Sequence, residues 1–378
     1  MKYTTSKEAD ARVERDLKII KEIVLKKINP IAIVFFGGFG HGNGSFKKIK
    51  GKITPLNDYD LYLITKKKIS GQLLEKLGEK CSAAIGRGGL EIVENFEKTY
   101  DENKFFHVDL HCITYKGLEK LYPTQRTFDL KTSGVIYGNK KILEKIPNVK
   151  ISKSDAIRLL FNKFDHFAIA EGNSEKIKSI YAIKGFVDLC SALLIFEGKY
   201  LSDAEEREKI FYSLNFPDEL KKLLSEATKA KLYKGYTVKN VDYFFNESKK
   251  WVEWGLKKIL KEHLEINSDD WKIICRAAYK KLPYTYFNDY LGGKFFFPAQ
   301  YYLNIRFFLE GLRKKEFLPK SLMRWRDAGI IIALSLILYS LGEEKESLKY
   351  LKKLTNKTNP IKDRILKLYS IYYLQKLV

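Results

Sequence analysis

Apolar residues change their period near residue 152, and that change limits the chain to two architectures in series. Before it, β-prone runs at 31–36, 59–65, 89–93 and 104–113 alternate with glycine- and lysine-rich segments. A helix over 7–28 leads into the first run, with Val13, Leu17, Ile20, Val24 and Ile28 on one face and Pro30 marking its end. A second helix is expected over 72–85; 133–138 adds an edge strand ahead of 140–145, with Pro147 and Asn148 at the exit. Beyond Ser152 the apolar spacing is helical almost throughout, which predicts helices over 155–170, 175–196, 203–214, 241–264, 299–312 and 321–341, and two more within 344–378. Ser202-Asp203-Ala204-Glu205 reads as a capping box with Ser202 at the N-cap. Pro283, Gly292-Gly293 and Pro298 interrupt the pattern, so 283–298 is expected to be an aromatic-rich loop, with the helical part splitting near 265–295. The expected domains are 1–150 and 151–378.

Chemistry concentrates in the first of these. Asn57-Asp58-Tyr59-Asp60 opens the second apolar run, about twenty residues after Phe36-Gly37-Gly38-Phe39-Gly40-His41-Gly42-Asn43-Gly44-Ser45. On an extended strand side chains alternate faces, so Asp58 and Asp60 project from one side and can share hard divalent cations. Asp109 lies within the apolar run 105–113, where a carboxylate is expensive to bury without a partner. His107, Asp109 and His111 share a face of that strand, which raises a histidine-ligated zinc site as an alternative, although Cys81 and Cys112 lack zinc-knuckle spacing. Neither a Gly-x-Gly-x-x-Gly fingerprint nor a P-loop can be aligned with the glycines.

A glycine turn after an apolar strand, then hydrophobic-Asp-x-Asp-hydrophobic, then hydrophobic-Asp-hydrophobic, in that order over about residues 30–115, resembles the nucleotidyltransferase superfamily of DNA polymerase beta, kanamycin nucleotidyltransferase and the CCA-adding enzymes. The resemblance implies an α+β nucleotidyltransferase core, a small mixed sheet with helices, followed by an all-α C-terminal region. It implies metal-dependent transfer of a nucleoside monophosphate from a nucleoside triphosphate to an acceptor hydroxyl, with two Mg2+ (or Mn2+) ions on Asp58, Asp60 and Asp109. Asp109 would hold the acceptor-side ion and take the hydroxyl proton. Gly37 and Gly38 would admit the β- and γ-phosphates to backbone amides, with Ser45 as a further donor and Lys47, Lys48, Lys50 and Lys52 turning charge toward the triphosphate. His41 stands where the family's turn has an arginine. Lys184, Arg158 and Lys199 are candidates for the far wall of the cleft, and Tyr181 or Tyr200 for stacking on a base. The acceptor is expected to be an RNA end or a protein hydroxyl, as in toxin-like members. A small-molecule acceptor is the alternative, as is a non-catalytic, antitoxin-like nucleotide-binding module.

The net charge of +23 is spread over both halves and favours polyanionic partners. Four cysteines without a Cys-x-x-Cys pair and a charged start predict a reduced, cytoplasmic protein. The longest uncharged apolar run, 328–341, is too short to span a bilayer, so no membrane partner is expected.

Overall fold

Among the described residues six strands form in the computed structural model: β1 (Ala32–Phe36), β2 (Ser45–Ile49), β3 (Lys52–Leu56), β4 (Tyr59–Thr65), β5 (Val108–Thr114) and β6 (Gly134–Tyr137), of which β1 and β4 are near-continuous apolar runs. The structure describes residues 2–49, 51–56, 58–88, 107–291, 296–322, 328–358 and 360–376. Four strands form one mixed sheet in the order β5-β4-β1-β6, with β1 antiparallel to β4 and β6, and β4 parallel to β5. The pair β2 and β3 makes a separate hairpin across the lysine-rich stretch.

The sheet is buried on both faces. Ile33, Phe35, Tyr59, Leu61, Leu63, Val108 and Leu110 enter a core filled by α1 (Lys7–Lys27) and by α3 (Gly71–Ala84), while the single turn α2 (Gly37–Gly40) follows β1 directly. Ala32, Val34, Tyr62 and Ile64 enter a second core closed by Leu118, Leu130, Ile142, Leu143 and Ile146. By the same alternation Asp60, Asp109 and His111 belong to this second face. Ser6 starts α1 by accepting from the Ala9 N–H, Glu8 and Asp10 sit in its first turn, and Lys26 and Lys27 in its last, matching the helix dipole. Inside α1, Asp16 is buried and accepts from Arg12 Nε at 2.9 Å and from the Tyr59 hydroxyl at 3.1 Å, tying the helix to β4.

Helix α3 fixes the start of β5. Ser82 Oγ accepts from the Val108 N–H at 2.8 Å and donates to the Gly78 carbonyl at 2.9 Å. A β-carbon on Gly78 would stand 2.6 Å from the Val108 carbonyl oxygen, so only glycine permits this approach.

Two compact units result: Met1–Ile151 with Lys199–Asn240, and Ser152–Gly198 with Val241–Val378. Residues 199–240, assigned by the sequence to the helical part, therefore return to the first unit as α7 (Ala204–Ser213) and α8 (Asp218–Tyr233), after α4 (Gln125–Thr132), α5 (Lys153–Ala170) and α6 (Glu175–Phe196). The cap of α7 is Asp203, which accepts from the Glu206 N–H, rather than Ser202, whose hydroxyl is turned to Asp129. All described elements of the second unit are helices: α5, α6, α9 (Val241–Leu264), α10 (Trp271–Leu291), α11 (Phe296–Arg313), α12 (Pro319–Leu322), α13 (Ala328–Ser340), α14 (Glu344–Leu351) and α15 (Ile361–Lys376). Helix α10 replaces most of the loop expected over 283–298 and runs through Pro283, because Ile274, Cys275, Ala278 and Leu282 form a buried stripe that holds its earlier turns. Gly292-Gly293, the strand expected over 89–93 and residues 104–106 lie outside the described residues. Helix α6 is long and apolar enough to cross a bilayer by length and composition, yet 78% of its most apolar window is buried within the fold.

Gly78→Ala is predicted to lower stability by about 1–3 kcal/mol through overpacking at Val108. Chemical denaturation monitored by circular dichroism checks this; an unchanged midpoint would mean that α3 and β5 separate at no cost.

Candidate functional site

The parallel register of β4 and β5 sets Asp60 beside Asp109, and the antiparallel register of β1 and β4 sets Phe36 beside Asp60. The glycine turn starts at the next residue, so both carboxylates and the turn share one end of the sheet. Gly37 has a φ of 69°, and a β-carbon built on it would overlap Asp60 Oδ2. It is required twice, for its backbone angle and for the space that the carboxylate fills. Gly38 is under neither demand: the atom nearest to a built β-carbon is the Asn43 carbonyl oxygen at 3.5 Å.

His111 completes the group. Its Nε2 lies 3.1 Å from Asp109 Oδ2 and 3.9 Å from Asp60 Oδ1, and the three ligand atoms lie within 4.8 Å of one another. Two carboxylate oxygens suit Mg2+ or Mn2+, and an imidazole nitrogen shifts the set toward a transition-metal ion. Ligands about 2.1 Å from one ion stand about 3 Å apart, a spacing that His111 and Asp109 already have, while Asp60 would have to close on them. Asp58 lies just before β4, half-buried and outside this group, as does His107 before β5.

Electrostatics couples the members. Burial works to raise the Asp109 carboxyl, but the hydrogen bond and charge of His111, with the charges of His107 and Arg126, hold it below the usual carboxylate range. Burial works to lower His111, and its hydrogen bonds to Asp109 and Asp60 overcome that and raise it.

Around the turn, His41 is engaged by the protein: its Nε2 lies 3.3 Å from Ser133 Oγ and its ring meets Phe36 edge-on at 6.4 Å. Burial, aided by the charge of Arg207 and opposed by that of Asp129, lowers its pKa and keeps the imidazole neutral near pH 7. Ser45 is buried, with Oγ 3.3 Å from the Tyr236 hydroxyl. Lys48 pairs with Glu8 at 3.1 Å. Tyr200 is buried and donates to Asp129, so its ring belongs to a structural network. Lys184, Arg158 and Tyr181 belong to the second unit; burial lowers His166, and the charges of Lys163 and Lys184 add to the shift, Arg158 Nε holds Asp155 at 2.6 Å, and Tyr181 stacks on His166. Lys199 is an exposed residue at the start of the segment that returns to the first unit.

Several residues bearing on the site were not singled out by sequence. Asn43 donates from Nδ2 to the Ser202 carbonyl at 2.9 Å and accepts at Oδ1 from the Ala204 N–H at 3.1 Å, joining the turn to the start of α7. Asp129 is buried and accepts from Ser202 Oγ at 2.6 Å and the Tyr200 hydroxyl at 3.1 Å, while Arg207 donates to that hydroxyl at 3.0 Å. Arg126 lies over the rings of Phe36 and Tyr62, 5.5 and 5.2 Å from their centroids. Isolated polar residues on helices and loops carry no periodic signal, so these contacts had no sequence signature.

No protein-family model matches the sequence, and none of the curated proteins matches it. Among solved structures, the chain is similar to the spectinomycin adenyltransferase AAD(9) from Enterococcus faecialis, crystallised with ATP and spectinomycin, at 16% identity over 64% of this chain and 99% of that one, with a TM-score of 0.40. So loose a likeness carries no argument about function, which has to come from the residues of this chain.

Gly37→Ala is predicted to displace Asp60 and weaken Mn2+ binding at least about tenfold, whereas Gly38→Ala leaves it unchanged. Titration of free Mn2+ by electron paramagnetic resonance distinguishes them; equal affinities for both variants would sever Gly37 from the carboxylate.

Proposed function

We propose that this chain transfers a nucleoside monophosphate from a nucleoside triphosphate to an acceptor hydroxyl. The observation that carries the reading is the joint placement of Asp60, Asp109 and the glycine turn at one end of the sheet, with Asp60 filling the space that a side chain at residue 37 would occupy. Order along the chain supports it too, since turn, Asp-x-Asp and later Asp occur as in the superfamily that the sequence resembles.

In this reading Asp60 and Asp109 hold Mg2+ or Mn2+, with His111 orienting Asp109 or joining it as a ligand; the second ion of a two-ion arrangement would call on Asp58. Such ions, when bound, polarise the α-phosphate and neutralise charge on the departing pyrophosphate. Asp109 positions the acceptor hydroxyl and receives its proton as the new oxygen–phosphorus bond forms and the bond to the β-phosphate oxygen breaks. Gly38 leaves room for phosphate oxygens to reach the turn's amides. The acceptor is proposed to be an RNA end or a protein hydroxyl, a small molecule being the other class. One observation favours a second reading, a nucleotide-binding module without turnover: Asp58 stands outside the group.

Incubation with each α-labelled triphosphate, Mn2+ and a lysate split into RNA, protein and small-molecule fractions tests both readings. Label is expected in one fraction, and Asp60→Asn is expected to reduce it by at least about a hundredfold. Asp109→Asn should retain triphosphate affinity better than turnover. Triphosphate binding without label in any fraction would select the module instead, and undiminished transfer by both variants would remove these carboxylates from the mechanism.

A further inference from the structure

We infer that Arg126 is the cation that binds the polyphosphate of the incoming nucleotide, delivered to the carboxylate site from α4 rather than from the glycine turn. The inference rests on the transferase reading and adds a binding residue to it.

The ions that would neutralise a triphosphate are shared with Asp60 and Asp109, so a site built on carboxylates keeps a surplus of negative charge and needs a fixed cation on the same face. The turn does not supply it, because the His41 imidazole is held neutral and engaged by Ser133. Arg126 stands in the right place. The two rings beneath its guanidinium flank Asp60: Phe36 is the cross-strand partner of Asp60, and Tyr62 follows two residues later on the same face of β4. Tyr62 in turn lies 5.0 Å, centroid to centroid, from the His111 ring, and the charge of Arg126 acts on both Asp109 and His111.

Its chemistry fits as well. Phe36 and Tyr62 meet edge to face at 5.5 Å and present a rigid platform, which limits the freedom that a long side chain loses on binding. Arg126 is exposed and hydrogen-bonds to the Tyr62 hydroxyl, which leaves most of the five guanidinium donors for phosphate oxygens, and these they match as a planar fork.

The test is titration calorimetry of the full chain with each of the four ribonucleoside triphosphates in Mn2+, carrying the tightest-binding one forward to Arg126→Gln and Arg126→Lys. Arg126→Gln is expected to weaken that triphosphate about ten- to a hundredfold while changing the matching monophosphate and free Mn2+ little, with Arg126→Lys in between. Equal triphosphate affinity in the parent and Arg126→Gln overturns the assignment and leaves the transferase reading standing. An equal loss for monophosphate and triphosphate also overturns it, since Arg126 would then act by packing the two rings. A parent that binds none of the four triphosphates removes the transferase reading itself, and this role with it.

Discussion

Two carboxylates on adjacent parallel strands repel one another, and the main-chain ladder between β4 and β5 keeps them together against that repulsion. At about 5 Å, with the effective dielectric of a partly wet site, the repulsion is of order a few kcal/mol. The sheet withstands it because both of its faces are packed: Tyr59, Leu61 and Leu63 anchor β4 in one core, and Tyr62 and Ile64 anchor it in the other. His111 reduces the remaining repulsion by donating to Asp109, and Arg126 adds a positive charge on the same face. A divalent cation would do the same more completely, and a pair so rigidly held could bind one.

The glycine turn has a comparable support outside the sheet. Asn43 spans the Ser202 carbonyl and the Ala204 N–H, Ser133 joins His41 to α4, and Asp129 gathers Ser202 and Tyr200 beneath them. Burial raises the Asp129 carboxyl, while its hydrogen bond from Ser202 and the nearby His41 and Arg207 oppose the shift. The result is a polar brace between the turn and residues 199–207. It gives the first unit a reason to reclaim this segment from the helical half of the sequence.

Legibility in the sequence followed the range of the interaction that decides each feature. β1, β4, β5 and α1 were readable because their apolar patterns are local, and with them Asp60 and Asp109 as strand residues, whereas their shared face comes from the pairing of β4 with β5. Asp58 shows the limit: alternation places it beside Asp60 only if the strand reaches it, and β4 starts one residue later. The β2–β3 hairpin was hidden by its lysines, and the passage of α10 through Pro283 by the proline and glycines that mark a loop over 283–298. Ser202 looked like a helix cap and became an Asp129 partner because a contact distant in sequence competed with the local one. His111 was visible as a face-sharing histidine, but its bridging position depends on the pairing of two strands nearly fifty residues apart.

The chain passes between its two units at residues 151–152, 198–199 and 240–241, so the first unit is not a continuous stretch of polypeptide. During vectorial synthesis the sheet and its carboxylates leave the ribosome well before α7 and α8 exist. For that interval the glycine turn lacks its Asn43 brace, and the α7–α8 face of the early domain remains uncovered. At about 5–20 residues per second the wait lasts seconds, long compared with the formation of the helices themselves. A fully braced glycine turn therefore belongs to a chain extended to at least residue 240, and any excision of residues 1–151 as a minimal domain would leave out part of the unit itself.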